Sequence, residues 1–313
     1  MIFSLFYEIA CFFTFLAFLP KIAYKAVTKG KYRKNFWKRL GFGFPDIPRD
    51  DSSPLFWIHA GSVGETQAIS ALVKQLKNEV PNARFVISSI TETGHETAKR
   101  IMPFATAHVY LPFDFFFTVR KVLSKARPDV VILAESDFWW RFLYEAKRKG
   151  AVILLASGKI SPRSYERFKR FSFFSRKLFS LVDHYCVQDT TYQSRFLDLG
   201  VPASKMAVTG NIKGDVTFSA LSPEEKAEIY KKFNLSEKDF LLVVGSTHAP
   251  EEEVILSALK PLLENNPRFK LMIVPRHPER FSEVKAICEK TNIAFATWTE
   301  PTLHQYPKII VVD

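Results

Sequence analysis

The stretch Leu55-Phe56-Trp57-Ile58-His59-Ala60-Gly61-Ser62-Val63-Gly64-Glu65 decides how this chain folds. Its first four residues form an apolar run of strand length. Ile69, Leu72, Val73 and Leu76 then fall at the i, i+3, i+4, i+7 spacing of a buried helical face. Between the two, a pair of glycines lets the backbone turn tightly and approach a ligand closely. Strand, glycine loop and helix in succession make the repeating unit of a doubly wound α/β sheet, and such sheets bind ligands past the carboxyl ends of their strands. Glu65 heads the stripe that faces the sheet, where a solvating carboxylate has no reason to be. A Glu in a helix's first turn also complements the macrodipole, and on these residues alone the two roles stand level.

The same rhythm continues in both directions. Candidate strands are 55–58, 84–88, 108–111, 130–134, 152–156, 184–187 and 206–208, with helices predicted over 65–78, 94–102, 115–125, 138–149, 165–180 and 190–199. After Gly214 it restarts. A helix over 222–233 opens on Ser222-Pro223-Glu224-Glu225, and strands 240–244, 270–274, 293–295 and 308–312 alternate with helices 250–264 and 278–290. This predicts an α/β protein with two Rossmann-like domains joined near 211–221. The second is expected to be incomplete, because its last strand ends the chain without a covering helix. The expected division is an anchor and basic segment over 1–45, a first domain over 46–212 and a partial second domain over 213–313.

The amino terminus has a different composition. Residues 2–19 are apolar and rich in Phe, and as a helix they would be about 27 Å long, close to the roughly 30 Å hydrocarbon core of a bilayer. Eight bases within residues 1–45 (Lys21, Lys25, Lys29, Lys31, Arg33, Lys34, Lys38 and Arg39) stand against Glu8 alone. That net charge of +7 leaves only +5 of the chain's +12 for the rest. Charges that follow an apolar run fit poorly with a cleaved signal peptide. They place the body of the protein on the cytoplasmic side and favour an anionic membrane surface over nucleic acid as partner. Cys11, Cys186 and Cys288 match no metal or disulfide spacing.

Further polar clusters follow other strands. Glu135 in Ala134-Glu135-Ser136-Asp137 would pay desolvation unless paired or used, whereas Asp137 suits a helix N-cap. Ser88-Ser89-Ile90-Thr91-Glu92-Thr93-Gly94 offers hydroxyls that either cap the next helix or contact a polar ligand. Lys159 and Arg163, after strand 152–156, either hold an anion or remain solvated. Lys213, near the domain junction, has the same two readings. In the second domain, Ser246 lies in a Gly245-Ser246-Thr247-His248 loop, and Pro275-Arg276-His277-Pro278-Glu279-Arg280 presents a rigid guanidinium suited to phosphate. Arg280 reads as an exposed surface charge and Glu279 as a cap. The scattered histidines give no metal motif, and Walker A and strict GxGxxG patterns are both missing.

Taken in order, seven of these segments resemble the Kdo transferases of lipopolysaccharide assembly, glycosyltransferases of the GT-B type. The segments are 59–65, 88–94, 134–139, 157–161, 210–213, 245–248 and 275–280. The Phe-rich terminus and two departures, Ser136-Asp137 where many members have Thr-Glu and Gly214 where an aromatic is common, make the resemblance chlamydia-like. It implies metal-independent, inverting transfer of 3-deoxy-D-manno-octulosonic acid (Kdo) from CMP-Kdo to a lipid A precursor, lipid IVA, with no cofactor, at the cytoplasmic face of the inner membrane. It further implies Glu65 as general base, ionised more readily at its helix start, and Glu135 and Lys213 as transition-state stabilisers. Pro275 and Arg276 are implied for CMP, and Ser246, Lys159 and Arg163 are added as substrate contacts. Family members continue past the position of Asp313 with parts of the nucleotide site. The expectation is therefore a fragment that binds CMP weakly and turns over poorly. The rival expectations are another GT-B enzyme using a UDP- or GDP-sugar and a non-catalytic lipid-binding module.

Overall fold

The computed structural model describes residues 2–29, 35–48, 50–215, 221–301 and 306–313. Lys31, Arg33 and Lys34 of the basic segment lie outside the described residues, and only the backbone of Lys25 and Lys29 is described. The chain divides into two units, Met1–Thr217 and Phe218–Asp313. Lys213 therefore belongs to the first.

The first unit begins with helix α1 (Ile2–Lys29) and the short α2 (Phe36–Arg39). Seven strands follow: β1 (Leu55–His59), β2 (Arg84–Ser89), β3 (Ala107–Tyr110), β4 (Val130–Ala134), β5 (Val152–Gly158), β6 (His184–Val187) and β7 (Met206–Val208). The helices between them are α3 (Val63–Glu79), α4 (Glu92–Ile101), α5 (Phe116–Ala126), α6 (Trp140–Arg148), α7 (Pro162–Arg170), α8 (Ser172–Phe179) and α9 (Thr190–Asp198). All strand pairings are parallel, in the order β3-β2-β1-β4-β5-β6-β7. The order reverses between β1 and β4, which is where a ligand crevice forms in such sheets. Strands buried on both faces read as unbroken apolar runs, and alternate residues serve opposite cores. Ile58, Ile87 and Ile132 pack with α3 and α4 residues such as Ile69 and Ala98. Trp57, Val86 and Val131 pack with α5, α6 and α9 residues such as Val122, Phe142 and Phe196.

Three local outcomes differ from the sequence pattern. The helix predicted over 165–180 is broken at Phe171 (φ −104°, ψ 48°). The buried Ser175 hydroxyl donates to the carbonyls of Phe168 and Ser172, so a side chain takes the place of a helical amide. Asp137 is not the N-cap of α6. That helix starts at Trp140, and the buried Asp114 accepts from the amides of Arg141 (2.9 Å) and Phe142 (2.8 Å) instead. The strand predicted over 293–295 is displaced toward the carboxyl terminus.

Helix α1 contains a stretch, Phe3–Lys21, long and apolar enough to cross a membrane by length and composition, yet one face of it is docked on the first unit. Tyr7 donates to Asp114 (2.5 Å), Glu8 pairs with Arg141 (2.8 Å), Phe3 meets Trp140 edge-on, and Phe15 meets Phe113 and Phe115. From Phe3 to Phe15 is about 18 Å of helix. Leu5, Phe12, Phe13 and Leu16, on the other side, are exposed, as is Phe6.

The second unit contains α10 (Pro223–Lys232), β8 (Phe240–Thr247), α11 (Glu251–Asn265), β9 (Phe269–Pro275), α12 (Phe281–Glu289), β10 (Phe295–Thr297) and β11 (Ile309–Val311). Its parallel sheet has the order β10-β11-β9-β8. Ser222 and Glu225 form a reciprocal capping box on α10.

Candidate active site

Two loops meet at the switch point of the first sheet: the one from β1 into α3 and the one from β4 toward α6. Ser62 caps α3 by accepting from the Glu65 amide (3.3 Å), which turns the Glu65 carboxylate back over the loop to accept from the Gly61 amide (2.8 Å). Asp137 comes so close that a Cβ built on Gly61 would lie 2.2 Å from its Oδ2. Any larger residue here would push the Asp137 carboxylate out of this position.

The surroundings of Glu65 raise its pKa. Burial is the largest cause, and the negative charges of Asp137 and then Glu135 add to it; the Gly61 amide pulls the other way without prevailing. The expectation that the helix start would favour the ionised form is overturned here, because desolvation and two neighbouring carboxylates outweigh a first-turn dipole. The result is a stronger base.

Glu135 has a different environment. It follows β4 in left-handed backbone (φ 61°), and Ser157, at the end of the adjacent β5, is also left-handed (φ 53°). Non-glycine residues in this region cost about 1–3 kcal/mol each and cluster at functional sites. The buried Glu135 carboxylate pairs with Lys213 (2.7 Å) through one oxygen and with Lys159 through the other. Burial alone would raise its pKa, but the two ammonium groups outweigh burial and hold it below the usual carboxylate range. One carboxylate against two ammonium groups leaves the cluster with a net positive charge. Lys213 is carried on a 3-10 turn, Ile212–Asp215, tied to β5 by the Ile212 amide donating to Ser157 Oγ (3.3 Å).

Beneath Gly61, the fully buried His59 places Nδ1 2.9 Å from Ser88 Oγ and Nε2 3.5 Å from Asp137 Oδ2. Trp57 Nε1 also donates to Ser88 Oγ (2.8 Å). Thus His59 and Ser88 support the loop from below, a role not assigned to them from the sequence. The only signal there was their place at the carboxyl ends of strands that turn out to be adjacent. Thr91, in contrast, caps α4 as anticipated.

Of the site residues read from the sequence, Glu65, Glu135, Lys159 and Lys213 come together. Arg163 does not join them. It is exposed on α7 and shares its surface with Glu166, Arg167, Lys169 and Arg170.

In the second unit, Thr247 and Pro275 are register partners on β8 and β9, and the Arg276 amide donates to the Thr247 carbonyl (3.1 Å). The left-handed Ser246 (φ 63°) and the exposed Arg276 therefore flank one sheet edge. The His248 and His277 rings meet edge-on with centroids 5.5 Å apart. Arg280 is no loose surface charge. Its guanidinium forks onto the fully buried Glu252 (2.7 and 3.0 Å) and also binds Glu283 (3.0 Å). This buried fork locks β9's outgoing loop against α11.

Comparison with known proteins gives a consistent outcome. A family profile described as 3-Deoxy-D-manno-octulosonic-acid transferase (kdotransferase) matches residues 34–216. A 3-deoxy-D-manno-octulosonic acid transferase of Chlamydophila psittaci is 38% identical over 309 residues, covering 97% of this chain and 70% of the relative. That of Haemophilus influenzae is 30% identical over 272 residues, covering 86% and 62%. Among solved structures, a UDP-GlcNAc 2-epimerase from Neisseria meningitidis aligns with a TM-score of 0.55 at 13% identity, over 83% of this chain and 72% of that one. At that identity the likeness concerns the α/β fold alone.

Proposed function

Because the chain belongs to the 3-deoxy-D-manno-octulosonic acid transferase family, we propose that it transfers Kdo from CMP-Kdo to a lipid A precursor, lipid IVA, with inversion and without a metal. Glu65 is the base. Its carboxylate takes the proton of the acceptor hydroxyl as that oxygen bonds to the anomeric carbon, while the bond from that carbon to the CMP phosphate oxygen breaks and CMP departs. A base of this kind contributes roughly 10²- to 10⁴-fold. The observation that carries the assignment is the pairing of two carboxylates in opposite environments at one switch point. Glu65 is raised in pKa and uncompensated by a cation, while Glu135 is lowered and bracketed by Lys159 and Lys213. Such divergence separates a proton acceptor from a permanently charged group.

In this mechanism Glu135 and Lys213 stabilise opposite charges. The carboxylate faces the positive charge that develops on the sugar ring, and the ammonium groups balance the phosphate charge that grows on the leaving CMP. Lys159, a direct partner of Glu135, shares the second task. The CMP moiety is assigned to the second unit, at the edge formed by Ser246, Pro275 and Arg276, where a guanidinium on a Pro-flanked turn suits a phosphate.

Helix α1 is the anchor on the cytoplasmic face of the inner membrane. Its docked face supports a placement along the bilayer surface: a helix held to the protein from Phe3 to Phe15 offers Leu5, Phe6, Phe12 and Phe13 to the lipid. Competition among donors tests the substrate reading. CMP is expected to protect Lys213 and Arg276 from chemical modification and to inhibit transfer, with UDP and GDP doing neither. Equal protection by UDP would reject CMP-Kdo as the donor.

A further inference from the structure

Two large cavities lie in the first unit, and of their lining residues only Lys159 has a part in the chemistry above. One, of about 690 Å³, lies between α1 and the body, lined by residues including Phe6, Phe15, Phe113, Phe115 and Trp139. The other, of about 680 Å³, has an apolar wall including Phe138, Ile160, Phe168 and Phe171, and its polar residues include Ser136, Lys159 and Arg167. Phe174 lines both. Phe174 and the loop that carries Glu135 therefore contribute to the walls of both spaces. Ser136 and Phe138 of that loop face the second cavity and Trp139 the first.

We infer that these cavities form one track for an acyl chain of the lipid acceptor, running from the exposed face of α1 to the Glu135 loop. The inference rests on the reading of the acceptor as a lipid and adds where its tail is held. Three observations support an acyl chain carried by an anionic headgroup over other occupants. The walls are aromatic and aliphatic, while two cations, Lys159 and Arg167, also line the second cavity, and Lys159, the partner of Glu135, marks its polar end. An amphiphile with its phosphorylated sugar at that end would bring a sugar hydroxyl to the reacting groups. The outer cavity is walled by α1, whose opposite face is exposed and apolar, so its wall is continuous with the surface assigned to the bilayer. Finally, the Trp139 indole Nε1 is buried without a hydrogen-bond partner among the described residues, on a side chain in the wall of the outer cavity. A lone buried donor is costly, and the carbonyl of an acyl ester or amide would satisfy it. A track of this kind gives the enzyme a means of telling an acylated acceptor from its sugar backbone.

The test uses the full chain and needs no donor for its first arm. A lipid A precursor with a photoactivatable diazirine on one acyl chain is expected to label 138–139 and 168–174. Ser164→Trp, which fills the second cavity from its rim, is expected to cut that labelling at least roughly threefold with an unchanged Tm. In the second arm, transfer to the acylated precursor is compared with transfer to its deacylated phosphodisaccharide. The wild type is expected to favour the acylated acceptor roughly tenfold in kcat/KM, through apolar contact, and Ser164→Trp to lose that preference. Labelling confined to Leu5, Phe12 and Phe13 would overturn the track, as would equal kcat/KM for the two acceptors, and either result would leave Kdo transfer intact. Absence of transfer to both acceptors would count against the Kdo reading, while the labelling arm would still judge the track.

Discussion

At the scale of single residues, the two carboxylates of the first unit make opposite predictions. The folded state raises the pKa of Glu65, so ionised Glu65 opposes folding. Its neutral form is favoured below the unfolded pKa, and that advantage is lost as pH rises through the folded pKa. Glu65→Gln is therefore expected to abolish base catalysis, with a loss of roughly 10²- to 10⁴-fold in kcat, while the Tm at neutral pH stays level or rises. For the wild type, log kcat should climb with pH to a plateau reached above the usual Glu range, because the base acts only when ionised. Glu135 has the reverse sign. Its pKa is lowered by Lys159 and Lys213 against the pull of burial, so its contribution is present above the ordinary carboxylate pKa and lost as pH falls through the folded one. Glu135→Gln should cost about 1–2 kcal/mol at pH 7 by denaturant melting. The full cost of a broken buried pair is not reached because both ammonium groups are at least a third exposed. Gly61→Ala forces a methyl group against Asp137. Its expected signature is a fall in kcat larger than any fall in Tm, since the methyl group turns the Asp137 carboxylate away and presses on Glu65 Oε2, 3.4 Å from the added carbon.

At the scale of elements, the strands were legible in the sequence because parallel strands covered on both faces are continuous apolar runs. The caps at Thr91 and Ser222 were legible from local chemistry, whereas the cap at Ser62 was not read from its segment. The break at Phe171 was not, since it depends on one serine hydroxyl finding two carbonyls, and neither was the capping of α6 by Asp114, which comes from a distant loop. Helix α1 illustrates the same limit. Its apolar run was plain, but whether it stands across a bilayer or lies along one depends on Tyr7 and Glu8 reaching Asp114 and Arg141, more than a hundred residues away. If the docked face holds the helix down, a Phe12→Ser, Phe13→Ser double variant should lose vesicle binding in a flotation assay with little change in Tm. Glu8→Gln should instead loosen the helix and lower the Tm. Unchanged flotation of the double variant would refute the surface placement.

At the scale of the whole molecule, the α/β class with two Rossmann-like units was readable from the alternation of patterns, but the order of strands was not. That order brings together Glu65, Glu135, Lys159 and Lys213, from four loops spread over nearly 150 residues. Residue types at strand ends named the participants, but only the register says which lysine meets which carboxylate, that Arg163 stays apart, and that Arg280 is held by Glu252. The chain spans about 70% of the length of its Chlamydophila psittaci relative, and the cluster proposed as catalytic lies wholly within its first unit. The most direct measurement is transfer itself: purified chain in detergent with CMP-Kdo and lipid IVA, the glycolipid product followed by mass spectrometry for wild type and Glu65→Gln. We predict slow turnover by the wild type, yielding a Kdo-bearing lipid and released CMP, and at least a hundredfold less product from the variant. A Glu65→Gln protein as active as the wild type, or a wild type that accepts a UDP-sugar in place of CMP-Kdo, would contradict it.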